Sequence, residues 1–135
     1  MNPNNGDVLG HVDVGTRPCQ QQGVAAGAVW LCQASDGAEL TPTVRRLDPD
    51  WGTMGPAYLT SAPVTAALEA GGLVWLPIGG RLIGMEPRTG QATRALTVGG
   101  LHYLETLNQI IEAYGSIWIG TSAGRVLRFD PAGFR

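Results

Sequence analysis

Three observations predict an all-β fold built from repeated four-stranded sheets. The apolar runs of the chain are short, rich in β-branched and aromatic residues, and bounded by Gly or Pro, as strands are. The stretches "GAVWLCQ", "GGLVWLP" and "GSIWIGT" place Trp30, Trp75 and Trp118 at spacings of 45 and 43 residues. After each Trp comes a second apolar run that closes on an acid and a proline: "VRRLDP" to Pro49, "LIGMEP" to Pro87 and "VLRFDP" to Pro131. Proline presets φ for the first position of a turn, and the glycine that follows at Gly90 or Gly133 tolerates positive φ.

A period of about 43 residues with several short strands in each unit is the signature of a β-propeller blade. Three blades follow in order, at about 18–62, 63–99 and 101–131. In each, the Trp strand is inner and covered on both sides, so Ile117, Trp118 and Ile119 form an unbroken apolar run. The segment from Leu101 to Gly115 also carries leucines and isoleucines at helical spacing, but its place in the repeat demands an inner strand. The fourth, outermost strand of the middle blade lies within "TGQATRALTVGG", and the third unit reaches Arg135 without a copy of it. The N-terminal "NGDVLGHVDVGT" aligns with it at an offset of 84 residues, matching Val12 to Leu96, Val14 to Val98 and Gly15 to Gly99. Residues 7–14 are therefore expected to complete the last type of blade by strand exchange. Propellers have about four to eight blades, so three are expected to close a ring by oligomerisation. The expected closure is a six-bladed homodimer, with a nine-bladed trimer as the alternative.

"GSIWIGTSAGRVLRFDP" resembles the repeat of two-component regulator propellers, and "GGLVWLPIGGRLIGMEPRTGQATRALTVGG" resembles a blade of the virginiamycin B lyase-like propellers. The resemblance implies the scaffold, which enzymes, sensors and binding modules share. The lyases' catalytic His and acid have no counterpart, since His11 and His102 both lack a neighbouring acid in a matching pattern.

Composition removes several classes. A net charge of −2, with all nine positive residues arginines scattered along the chain, offers no basic field for nucleic acid. No apolar window is long enough to span a membrane, and the N-terminus has neither the charged nor the apolar segment of a signal peptide. A soluble chain is expected. The absence of Lys excludes Schiff-base chemistry, and neither a nucleophile elbow nor a phosphate-binding loop occurs.

Cys19 and Cys32 flank a turn near Ala25 and Ala26 and could lie opposite each other, as a disulfide or as two buried thiols. A disulfide would suit an oxidising compartment. Two cysteines alone make no zinc site, and neither metal nor cofactor is expected. Glu69 and Glu112 sit at equivalent ends of inner strands, where a central channel would open; they read as solvated carboxylates or as a seat for a cation or basic partner. The first unit is the least regular, with "ASDGAELTPT" inserted after Trp30 and a long "DPDWGTMGPAY" after its second strand. This is either plain loop growth or a recognition patch of Asp36, Glu39, Asp50, Trp51 and Tyr58, with Trp51 as an aromatic platform for a sugar or a protein anchor. The function expected is a non-catalytic binding or assembly module, recognising glycan or protein or building a larger particle. The alternative is a lyase or hydrolase with its site at the channel mouth.

Overall fold

The structure is a computed structural model and describes residues 23–33, 43–48, 50, 53–56, 58–60, 64 and 66–134. The described residues are all-β and form three antiparallel sheets. Sheet A contains β1 (Gly23–Ala25), β2 (Ala28–Gln33), β3 (Thr43–Leu47) and β4 (Tyr58–Leu59), in that spatial order. Sheet B repeats the arrangement with β5 (Leu68–Ala70), β6 (Leu73–Ile78), β7 (Arg81–Met85) and β8 (Ala92–Thr97). Sheet C contains β9 (Leu107–Ala113), β10 (Ser116–Thr121) and β11 (Val126–Phe129), followed by a single 3-10 turn at Pro131–Phe134. Among the described residues β11 is therefore an edge strand. Residues 7–14, expected to pair beside it, lie outside the described residues.

The first hairpin of each sheet has the same two-residue loop. Register pairs Ala25 with Ala28, Ala70 with Leu73 and Ala113 with Ser116. Both loop residues have positive φ in all three cases: 52° and 70° at Ala26-Gly27, 61° and 81° at Gly71-Gly72, and 52° and 69° at Tyr114-Gly115. This is the type I′ geometry whose twist matches that of the flanking strands. The first turn thus falls on Ala26 and Gly27, one residue later than expected, because Gly27 takes the left-handed second position without steric cost.

Sheet B is the middle layer. On one side Val74, Leu76, Ile78, Ile83 and Met85 form a core with Trp30, Cys32, Val44 and Val64. On the other, Trp75 and Leu82 join Leu107, Ile110, Ile117, Ile119 and Phe134. Successive residues of β6 serve opposite cores, since strand side chains alternate. The uninterrupted burial of Val74 to Ile78 follows.

The helical spacing of 101–115 has a specific origin. Gly120 pairs with Gln109 but Thr121 pairs with Leu107, so Asn108 is an extra residue in β9. This bulge turns Leu107 back to the face that already carries Ile110, and both are buried against sheet B. Two core residues three apart in a strand mimic one turn of helix.

Candidate functional site

The three repeated tryptophans organise the surface. Each donates its indole Nε1–H to the carbonyl that ends the preceding strand: Trp30 to Ala25 at 3.0 Å, Trp75 to Ala70 at 2.9 Å and Trp118 to Ala113 at 2.9 Å. The structure thus extends the sequence repeat backwards to Ala-x-Gly-x-(Val/Ile)-Trp, a pattern readable in "AAGAVW", "AGGLVW" and "AYGSIW". The tryptophans share a direction as well as a bond. Trp30 lies in the core with sheet B, and Trp75 in the core with sheet C. The surfaces that receive them carry Val74 and Leu76 in sheet B and Ile117 and Ile119 in sheet C.

Trp30 is 1% exposed and Trp75 fully buried. Trp118, on the face of sheet C turned away from sheet B, is only half-buried. Its cross-strand partners are Ile111 and Arg128. The Arg128 guanidinium lies over the indole, 5.5 Å from the ring centroid, and Nε donates to Ser116 Oγ at 2.8 Å. Ile111 and Val126, on the same face, are 54% and 69% exposed. In sheet B the strand position of Arg128 is taken by Gly84, whose missing Cβ leaves room for the Trp75 ring. There Arg94 covers the indole at 5.4 Å and Phe134 meets it edge-on, also at 5.4 Å.

The three acid-Pro turns use the acid as a cap. Asp48 Oδ1 accepts from the Asp50 N–H, Asp130 Oδ1 from the Ala132 N–H, each at 2.9 Å, and Glu86 Oε2 from the N–H groups of Arg88 and Thr89. The Thr89 hydrogen bond, ahead of the Arg88 contacts, holds the Glu86 carboxyl below its ordinary range. These carboxylates are structural groups that satisfy turn donors.

A second polar cluster fixes the connection from β8 to β9. Glu105 is buried and receives Arg125 Nε at 2.9 Å and Nη2 at 2.5 Å, the Thr121 hydroxyl, and the His102 N–H at 2.8 Å. Arg125, then Thr121, holds its pKa down to about 2. Arg125 also donates to the Gly100 carbonyl at 3.0 Å, which ties the connection to the hairpin after β10. Sequence reasoning missed this cluster, although "GR" recurs at Gly80-Arg81 and Gly124-Arg125.

Of the expected loop patch, Asp36, Glu39 and Trp51 lie outside the described residues. Asp50 is exposed in its capped turn, while Tyr58 is half-buried in β4 and packs on the core between sheets A and B. Tyr58 lines an open cleft of about 460 Å³ with Pro56, Gly90, Gln91 and Ala92, between the outer parts of sheets A and B. The two sheets are clamped there by Arg46 Nε donating to the Pro87 carbonyl at 2.5 Å.

Glu69 and Glu112 are exposed at equivalent positions of β5 and β9, opposite Val74 and Ile117 in register. Among the described residues no group of three His, Cys, Asp or Glu side chains could hold a metal, and no helix is long and apolar enough to cross a membrane. Cys32 is fully buried in the core between sheets A and B, is disulfide-bonded, and accepts at Sγ from the Val64 N–H at 3.4 Å. Cys19 lies outside the described residues.

No family model matches the sequence, and no curated protein matches it. Among solved structures, the chain is similar to a europium-containing methanol dehydrogenase with a TM-score of 0.55 and 15% identity, over 80% of this chain and 22% of the dehydrogenase. That protein is of the β-propeller type, and the likeness is one of fold. The chain spans less than a quarter of its length. A computationally designed protein, Ika4, is similar over 92% of this chain and 95% of its own, with a TM-score of 0.41 and 13% identity.

Proposed function

We propose that this chain is a non-catalytic propeller-type assembly module whose working surface is the outer face of sheet C, and that its partner is a second copy of the same chain. One observation carries the reading: Trp30 and Trp75 are each covered by the next sheet, whereas among the described residues no sheet covers the equivalent Trp118. The layers that cover the first two have a definite character. The layers over Trp30 and Trp75 present Val74 and Leu76, then Ile117 and Ile119; their equivalents in sheet A are Val29 and Leu31, on the side turned away from sheet B. Leu31 is already buried within the chain, but Val29 is half-buried and Val24, beside it in register, is 73% exposed. Among the described residues the chain therefore carries a partly open tryptophan face and, at its other end, the kind of face that receives one.

Two copies joined head to tail around a twofold axis bury both pairs of faces and leave neither open. Exposed apolar patches of this kind drive association. Light scattering after size exclusion tests the reading. The expected result is twice the monomer mass of 14.2 kDa, falling to the monomer mass in the Ile111→Asp/Val126→Asp variant, whose changes are at exposed positions that the single chain tolerates. A wild-type monomer at micromolar concentration overturns it.

A further inference from the structure

The cation beside each repeated tryptophan points to what the partly open face recognises. We infer that Arg128 is the residue by which this face selects its partner, and that its guanidinium is received by the acid-Pro turn of sheet A, at Asp48 and Asp50, in a second copy of the chain. The inference rests on the proposed self-association and names the polar contact that orients it.

Each sheet carries an arginine on the face of its tryptophan. Arg46 pairs with Trp30 in register and Arg128 with Trp118; in sheet B the place opposite Trp75 belongs to Gly84, and Arg94 is next in register on β8. Cross-strand neighbours share a face, so the three arginines face the way the tryptophans do. Where a following sheet is present, the arginine reaches its acid-Pro turn. Arg46 Nε donates to the Pro87 carbonyl of sheet B at 2.5 Å, and Arg94 Nη2 to the Gly133 carbonyl of sheet C at 3.5 Å. The turn of sheet B is fitted to its arginine, for a Cβ at Gly90 would stand 2.9 Å from Arg46 Cβ.

Arg128 has no following sheet to reach among the described residues. Within the chain its guanidinium is held by the Trp118 ring at 5.5 Å and by Ser116 Oγ, which accepts from Nε at 2.8 Å. The holder is particular to sheet C, since the position of Ser116 is taken by Ala28 in sheet A and Leu73 in sheet B, neither with a side-chain oxygen. Among the described residues the Nη groups of Arg128 bond nothing, so their donors are presented outward in a fixed plane.

The repeat supplies the matching seat. "DPDWG" after β3 repeats the acid-Pro-x-x-Gly pattern of "EPRTG", the turn that receives Arg46. Where the turn of sheet B follows its acid with Arg88, that of sheet A has Asp50, which is exposed. Asp48 Oδ1 caps the Asp50 N–H, and Oδ2 lies 3.9 Å from Arg46 Nη1, which leaves the Asp50 carboxylate to complement an incoming guanidinium. Sheet A of the same chain lies across sheet B from sheet C, so the turn that Arg128 meets belongs to another copy.

Charge reversal tests the contact. The dimer dissociation constant is measured by sedimentation velocity for the wild type, Arg128→Glu, Asp50→Arg and the double variant, with urea midpoints to show that each folds. The expected result is a constant raised at least about tenfold by each single reversal and restored to within about threefold of the wild type in the double variant. A packing role for Arg128 would not give that recovery. Arg128→Gln and Asp50→Asn remove the charges without reversing them and keep most of each side chain; each should raise the constant about threefold, and the two together no more than either alone. A dimer unaffected by both Arg128 variants overturns the recognition while leaving the Trp118 face as the joint. Weakening by Arg128→Glu that Asp50→Arg does not reverse, or additive losses in the neutral pair, overturns the turn of sheet A as the seat. A wild-type monomer overturns the self-association reading as well.

Discussion

Replacing Trp75 and Trp118 separately by Ala distinguishes a tryptophan that holds the chain together from one that holds chains to each other. Trp75 is fully buried, its indole hydrogen-bonded to the Ala70 carbonyl and flanked by Phe134 and Arg94. An indole of that kind removes about 200 Å² from water, which at 25 cal/mol per Å² is roughly 5 kcal/mol. Measured aromatic-to-Ala losses in cores are about 3–5 kcal/mol. A loss near 4 kcal/mol corresponds to about 14 °C in melting temperature for a domain of this size and is a large share of a typical total stability of about 5–15 kcal/mol. Trp118 keeps its hydrogen bond to the Ala113 carbonyl but is only partly buried within one chain, so Trp118→Ala should cost less, about 3 kcal/mol, or about 10 °C. Both are measured by thermal and urea unfolding in the Ile111→Asp/Val126→Asp background, where the open face is closed to partners. Equal losses at the two positions would refute the reasoning, because Trp118 would then be core in the single chain. In the otherwise wild-type chain, Trp118→Ala should in addition abolish the concentration dependence of the melting temperature, whereas Trp75→Ala should preserve it.

Two further outcomes follow from the polar clusters and the clamp. The Glu105 carboxyl is held at about 2 by Arg125 and Thr121, below its ordinary 4.5; a depressed folded-state pKa contributes stability that is present above pH 4.5 and is lost as the pH falls towards 2. Urea midpoints measured from pH 6 down to pH 2 should fall less steeply in Glu105→Gln than in the wild type, and parallel profiles would remove the assigned role. At Gly90, φ is +77° and an added Cβ would stand 2.9 Å from Arg46 Cβ. Gly90→Ala should therefore destabilise by about 1–3 kcal/mol and loosen the contact between sheets A and B, seen as faster hydrogen exchange in β3 and β8; an unchanged urea midpoint would show that the turn has another conformation.

The sequence made the hairpins legible because each is specified locally. A glycine at the second loop position, β-branched residues around a Trp, and an acid-Pro turn at the end of the next strand all act within a dozen residues, and sheets A and B follow from them directly. What escaped reading involves partners chosen through the backbone. The Trp Nε1–H bonds a main-chain carbonyl, which every residue supplies, so only the structure reveals why Ala25, Ala70 and Ala113 recur five residues before each Trp. The bulge at Asn108 disguised a strand as a helix turn. Glu105 and Arg125 stand 20 residues apart and meet only because a connection between sheets folds back over a hairpin.

The common direction of the tryptophans also sets an order of events during synthesis. Each indole is covered by a layer made later: Trp30 by β6 and Trp75 by β10. At about 5–20 residues per second on the ribosome, the 43 to 45 residues between repeats leave each new tryptophan open for roughly two to nine seconds. The nascent chain therefore always carries one sticky face at its growing end, handed forward from layer to layer as the next hairpin forms. Trp118 holds that face last, and on the proposed self-association it is the sheet A of a neighbouring chain in the polysome that would take it up.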